Sequence, residues 1–375
     1  MAVSRVKQLL GHISSNPSTV MSAEIWQQVP LAPPDSIFKL TAAYKADTYE
    51  KKVNLGVGAY RDDNSKPWVL PVVKKATQIL LTDDTLDHEY LPILGLPEYT
   101  ASAAKLIIGP DSPAIQENRV VSAQTISGTG ANHLGALFLS RFYGFNGDKK
   151  VYLSKPTWGV DPTQEQWKAI ADAILECKHF AFFDCAYQGF ASGDLDKDAF
   201  AVRYFVSRGV PMLVCQSFAK NAGLYGERVG ALHVVSKDAE TANRVRSQLS
   251  VLQRSEISNP PSHGARLITL ILNDPTLFAE WKQDISTMAN RIITMRKELY
   301  RLLTEELKTP GNWDHIINQI GMFSFTGISP EQSQALVEKA HVYLTGNGRI
   351  SMAGLNSHNI RYFAEALDKV VRGTL

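Results

Sequence analysis

Three cysteines in 375 residues leave this chain no disulfide framework. Cys177, Cys185 and Cys215 form no C-x-x-C pair, and each lies in or beside an apolar run, so buried free thiols are expected. Nine histidines show neither H-x-x-x-H spacing nor a Cys/His cluster, so no metal is expected. No apolar run reaches the roughly 18 residues that a membrane helix needs. Lys and Arg number 39 against 37 Asp and Glu, with the signs interspersed, so there is no basic stripe for nucleic acid. What remains is an ordinary globular composition, 44% hydrophobic and 20% charged, long enough for two domains around a large core.

The amino end lacks acidic residues before Glu24 and carries Arg5, Lys7 and several serines. Residues 1–21 therefore read as a tail or as a possible mitochondrial presequence, with Met21 an alternative start. The carboxyl end carries no recognised address signal.

Strands and helices alternate through the middle of the chain, which predicts an α/β core with a mostly parallel sheet. Strands are expected at 119–123, 150–153, 179–184, 210–215 and 229–235. Helices are expected at 72–81, 96–108, 130–142, 165–175 and 198–208. A long amphipathic run at 275–307 and a helix at 360–371 frame a smaller α+β part with strands at 321–326 and 342–344. This gives a small domain from 22–66 and 290–375 and a large domain from 67–289.

The chemistry concentrates in Gln216-Ser217-Phe218-Ala219-Lys220 and the arginine at Arg228. A lysine just past an apolar strand can form a Schiff base with a carbonyl cofactor, while Ser217 and Arg228 hold an anion beside it. Ser127-Gly128-Thr129-Gly130-Ala131 joins a strand to a helix, and backbone N–H groups at a positive helix end suit a phosphate. The spacing is not G-x-G-x-x-G, which disfavours a dinucleotide. Asp184 closes the run Phe180-Ala181-Phe182-Phe183 at the carboxyl end of a strand, where α/β proteins bind ligands. A carboxylate there can keep a pyridine nitrogen protonated, and Tyr187 follows three residues on. Ser217-x-x-Lys220 also matches the nucleophile motif of penicillin-binding proteins. That reading needs S-D-N and K-T-G, and neither tripeptide occurs.

Taken in order along the chain, these pieces resemble the aspartate aminotransferases of fold type I. The likeness runs from Trp26 to Val371 and includes NLGVGAYRDD (54–63), HEYLPILGLPEY (88–99), QTISGTGA (124–131), KPTWG (155–159), AYQGFASGD (186–194), SNPP (258–261) and NGRIS (347–351). It is most similar to fungal cytosolic enzymes, which implies a cytoplasmic location, with the mitochondrion as the alternative.

The resemblance implies a homodimer that uses pyridoxal 5'-phosphate to exchange amino groups between amino acids and 2-oxo acids. Lys220 becomes the Schiff-base lysine, Asp184 the partner of the ring nitrogen, and Tyr187 the contact of the phenolic oxygen. Ser127, Gly128, Thr129, Ser217 and Arg228 become the phosphate cradle, joined by Tyr90 from the neighbouring subunit. Trp158 stacks on the ring, Gly58 lines the substrate side, Arg349 clamps the α-carboxylate, and Arg254 from the partner clamps the distal carboxylate. Two guanidinium forks explain a preference for dicarboxylates such as aspartate and glutamate. Loss of the Arg254 role would leave an aromatic-amino-acid aminotransferase of the same fold.

One break interrupts the likeness. Trp158-Gly159 joins Val160-Asp161-Pro162 directly, where the family has a segment longer than a βαβ unit of roughly 30 residues. That segment carries sheet strands and an asparagine that bonds the cofactor's phenolic oxygen. The break admits a second reading, a catalytically impaired homologue or decoy subunit.

Overall fold

The computed structural model describes residues 26–33, 35–144, 150–154 and 162–375, in two units divided after Lys39. Among the described residues the strands are β1 (Val53–Asn54), β2 (Val120–Ile126), β3 (Ala181–Cys185), β4 (Met212–Ser217), β5 (Val229–Val235), β6 (Phe323–Phe325), β7 (Val342–Tyr343) and β8 (Arg349–Ser351). The longer helices are α1 (Ser36–Ala46), α2 (Pro71–Leu81), α3 (Pro97–Ile108), α4 (Ser127–Phe142), α5 (Gln164–Glu176), α6 (Phe200–Ser207), α7 (Ala239–Glu256), α8 (Ser262–Asn273), α9 (Pro275–Arg301), α10 (Pro330–Ala340) and α11 (Ile360–Arg372).

The central sheet has the order β2-β5-β4-β3. β3 and β4 are parallel, whereas β5 runs antiparallel to both β4 and β2. Three of the four strands therefore point the same way, and the fold is α/β as expected. β5 is reversed because the link from Phe218 to Arg228 is too short for a crossover connection. The carboxyl ends of β2, β3 and β4 meet at one edge, together with the amino end of β5.

Period-two alternation gives each face of the sheet its own core. Leu213, Cys215, Leu232 and Val234 pack with Leu134 of α4 and Leu249 of α7. Met212 and Val214 face the other way, onto Ile107 of α3, Ala171 of α5 and Phe205 of α6. All six residues of β4 are buried, as a strand covered on both faces requires. β3 lies at the sheet's edge, and its Phe182 is 39% exposed.

Helix starts follow local chemistry. Thr163 and Gln166 form a capping box on α5, as Ser329 and Gln332 do on α10. Asp274 accepts from the first-turn N–H groups of Thr276 and Leu277 at the start of α9, where Pro275 fits because its missing N–H needs no partner. Along α9 the stripe Leu277, Trp281, Ile285, Met288 and Ile292 is buried at helical spacing. Fully buried Trp281 donates from Nε1 to the Asn221 carbonyl at 3.0 Å and so fixes the loop that carries Lys220. Elsewhere, β1 pairs parallel with β7, and β6 pairs antiparallel with β8.

Two expectations are corrected. Lys150–Leu153 forms no strand: Val151, Tyr152 and Leu153 are exposed and have no ladder partner among the described residues. β propensity alone does not make a strand without a neighbour to pair with. Cys177 is exposed because it caps the end of α5 rather than lying on that helix's inner face, while Cys215 is buried and Cys185 half-buried.

Candidate functional site

The edge where β2, β3 and β4 end collects most of the residues singled out by sequence. α4 starts directly after β2, with no side-chain cap and no acidic residue in its first turn, so the N–H groups that follow Ser127 are open to an anion. Ser127 and Arg228 both adopt left-handed backbone (φ 60° and 54°), and the Ser127 N–H donates to the Arg228 carbonyl at 3.0 Å. Two such non-glycine residues side by side mark the local strain that functional loops hold. Ser127 Oγ and Ser217 Oγ, both buried, lie 3.1 Å apart. Gly230 makes this close approach possible, since a Cβ there would stand 2.4 Å from the Ser127 carbonyl carbon. Gly128 is buried beside Ser217, and Thr129 is exposed in the same turn. The Arg228 guanidinium donates to the Tyr225 carbonyl at 2.9 Å.

Lys220 is half-buried just beyond this cradle, with its Nζ 5.3 Å from the centre of the Tyr187 ring. Burial, and then the Arg228 charge, pull its pKa below the ordinary lysine value, against the opposing pull of Asp184. A larger neutral fraction makes the amine a better nucleophile and base. Asp184 is the last residue but one of β3, in register with Cys215, and burial raises its pKa against the Asn132 amide and Lys220. Burial also raises the pKa of the Tyr187 phenol.

Gly58 closes the other side. A Cβ there would meet Phe323 Cζ at 2.7 Å and the Tyr187 hydroxyl at 2.9 Å. Arg349 is buried on β8, its guanidinium 4.5 Å above the Phe323 ring, and burial lowers its pKa. Phe323 and Tyr187 meet edge to face at 5.7 Å. Lys220, Tyr187, Gly58, Phe323 and Arg349 thus form one continuous wall.

Tyr90, 86% exposed, and Arg254, exposed on α7 and donating to Ser258 Oγ, are not joined to this cluster among the described residues. Trp158 and the junction after Gly159 lie outside the described residues. No group of His, Cys, Asp and Glu suited to a metal occurs among the described residues.

Sequence reasoning missed three features. Asn132 donates to Asp184 Oδ2 at 3.2 Å, its only sequence signal being an amide one turn into α4. Phe323 packs beneath Arg349, with no signal beyond a short apolar run. Behind the edge, Ser122, His233 and Gln216 form a polar chain, with bonds of 2.7 Å to His233 Nδ1 and 2.9 Å to its Nε2.

The family model described as "Aminotransferase class I and II" matches residues 50–160 and 159–367, two pieces that meet at the expected break. A cytoplasmic aspartate aminotransferase of Schizosaccharomyces pombe is 48% identical over 393 aligned positions, covering 90% of this chain and 96% of the relative. Since 90% of 375 residues fill 393 positions, roughly 55 positions of that relative have no counterpart here. The corresponding Gallus gallus protein is 46% identical, covering 94% of this chain and 99% of its own. The solved structure of aspartate aminotransferase from Saccharomyces cerevisiae cytoplasm superposes with a TM-score of 0.89 at 45% identity, covering 94% of this chain and all of that one. An aromatic-amino-acid aminotransferase from Burkholderia pseudomallei, described as covalently bound to pyridoxal phosphate, gives 0.88 at 34% identity, covering 92% and 99%. In sequence and in fold alike, this chain belongs to the class I and II aminotransferase family.

Proposed function

We propose that this chain is an aspartate aminotransferase, exchanging the amino group of L-aspartate with 2-oxoglutarate to give oxaloacetate and L-glutamate with pyridoxal 5'-phosphate as cofactor. Lys220 carries the reading: a half-buried amine of lowered pKa beside Asp184, Tyr187 and Arg228. The donor set fits that cofactor. Two buried hydroxyls, an uncapped helix start and a guanidinium suit a phosphate, a carboxylate suits a ring nitrogen, a phenol suits the phenolic oxygen, and a free amine suits an aldehyde. When bound, pyridoxal phosphate supplies the aldehyde and a ring that spreads the charge developing at the substrate Cα.

The chain's own residues do the rest. Ser127, Gly128, Thr129, Ser217 and Arg228 hold the phosphate. Asp184 keeps the ring nitrogen protonated, and Tyr187 donates to the phenolic oxygen. Trp158 is assigned the ring face by resemblance. Lys220 Nζ would take the proton from the substrate Cα and hand it to the carbon that the cofactor's aldehyde contributes. Arg349, its face supported by Phe323, presents its fork to the α-carboxylate. Gly58 leaves room for the substrate beside the Tyr187 hydroxyl.

Exposed Arg254 and Tyr90 serve the neighbouring protomer of a homodimer, Arg254 at the distal carboxylate and Tyr90 at the phosphate. The domains are taken as 22–66 with 290–375, and 67–289. A cytoplasmic location follows the descriptions of the relatives. No observation favours the impaired or decoy reading.

The test is borohydride reduction of the purified chain with pyridoxal phosphate, followed by peptide mapping and a transamination assay. A label on Lys220, absent together with activity in Lys220→Ala, is expected. A folded chain labelled elsewhere, or Lys220→Ala with unchanged turnover, would overturn the reading.

A further inference from the structure

Asp184 sits at the sheet's open edge, where its carboxylate is exposed on one side. Among the described residues the only side chain that bonds it is Asn132, whose Nδ2 donates to Oδ2 at 3.2 Å. The same nitrogen donates to the Gly128 carbonyl at 3.0 Å. One side-chain amide thus ties the first turn of α4, where the phosphate cradle lies, to the end of β3. Asparagine is a poor choice for a helix interior on propensity alone, because its amide competes with the backbone. Here both donor positions of that amide are used.

We propose that Asn132 is a positioning residue of this site: it holds the Asp184 carboxylate in one orientation, ionised, toward the ring nitrogen of the cofactor. The inference rests on the reading of Asp184 given above. A carboxylate on an edge strand can rotate toward solvent, and a donor on the neighbouring helix removes that freedom while leaving the second oxygen available. The bond also favours the charged form. The other titratable groups facing Asp184 are Lys220 beyond β4, Cys215 on β4, and Tyr187 on its own segment. Of these only Lys220 favours the carboxylate, and it acts through space without a hydrogen bond.

Three measurements test this. Cofactor affinity is read by fluorescence quenching as pyridoxal phosphate is added to the cofactor-free protein. Asn132→Leu should weaken binding about tenfold, the scale of a lost hydrogen bond to a charged group, and Asn132→Gln should restore part of it. In the background of Asp184→Asn, Asn132→Leu should have no further effect. Additive losses would mean that Asn132 acts on the phosphate loop alone, and would overturn the proposal.

The third measurement needs no cofactor. Removing the Asn132 donor raises the Asp184 pKa further, so the folded state gives up its proton less readily as pH rises. In the cofactor-free chain Asn132→Leu should therefore destabilise more at pH 7.5 than near pH 3.8, the ordinary aspartate value, and Asp184→Asn should abolish that difference. Equal destabilisation at both pH values would overturn the proposal even if the chain bound no cofactor. Failure of wild type to bind pyridoxal phosphate, with the pH difference present, would instead count against the function proposed above.

Discussion

His233 gives the most exacting test of the packing behind the site. The ring is fully buried on β5, opposite Ser122 of β2 and diagonal to Gln216 of β4. Ser122 Oγ lies 2.7 Å from Nδ1, and Gln216 Oε1 lies 2.9 Å from Nε2. A carbonyl oxygen can only accept, so the amide orientation assigns the proton to Nε2 and leaves Nδ1 to accept from the serine. One neutral tautomer satisfies both partners. Burial accordingly lowers the pKa from 6.5 to about 3.

The sign follows directly. Below pH 6.5 the unfolded chain takes up a proton that the folded chain refuses until about pH 3, so stability falls as pH falls through that window. The slope is about 1.4 kcal/mol per pH unit, or about 2 kcal/mol between pH 7 and pH 5. His233→Gln keeps a donor and an acceptor in place but cannot titrate. Urea unfolding of both proteins at fixed protomer concentration, at pH 7 and pH 5, isolates the effect from the other ionisable groups. Wild type should lose about 2 kcal/mol more than the variant over that range. Parallel losses would mean that the ring is solvated or already charged in the folded state, and the buried-chain argument would fail.

Two further perturbations probe the site itself. Gly58→Ala should push Phe323 and the Tyr187 hydroxyl aside, lowering stability by about 1–3 kcal/mol and shifting the absorbance of bound cofactor, read by denaturation and spectroscopy. Mixing Lys220→Ala with Arg254→Leu tests whether Arg254 serves the neighbouring protomer: random pairing leaves about a quarter of the sites intact if it acts across the dimer, and none if it acts within its own chain.

Local chemistry made the phosphate cradle and the lysine legible in sequence. Ser127-Gly128-Thr129 and Ser217-x-x-Lys220 each hold their meaning within one turn of chain, and β5 falls at Val229–Val235 as its apolar run predicts. What sequence did not yield depends on distant partners. β8 has three residues, too few for alternation to register, and exists because Arg349–Ser351 pairs with Phe323–Phe325. Lys150–Leu153 has strand composition but joins no ladder among the described residues. Asn132 is an ordinary helical polar residue until β3 brings Asp184 to it, 52 positions later in the chain. The closeness of Gly58 to Tyr187 likewise joins segments that no periodicity relates.

The strands that carry the site are not all held alike. The phosphate cradle and Lys220 are built on β2, β5 and β4, whose mutual ladders run unbroken from Val120–Val235 to Ile126–Val229 and from Met212–Val235 to Ser217–Gly230. Asp184 and Tyr187 ride on β3 and the turn beyond it, at an edge that leaves Phe182 partly in solvent. An edge strand twists and frays more readily than one paired on both sides, and β3 pairs with β4 over five residues where β2, the other edge strand, pairs with β5 over seven. Anchoring through the phosphate and the lysine therefore depends on the longer ladders of the sheet. Tuning of the ring nitrogen and phenolic oxygen depends on β3, and through it on the Asn132 bond that ties that strand's end to α4.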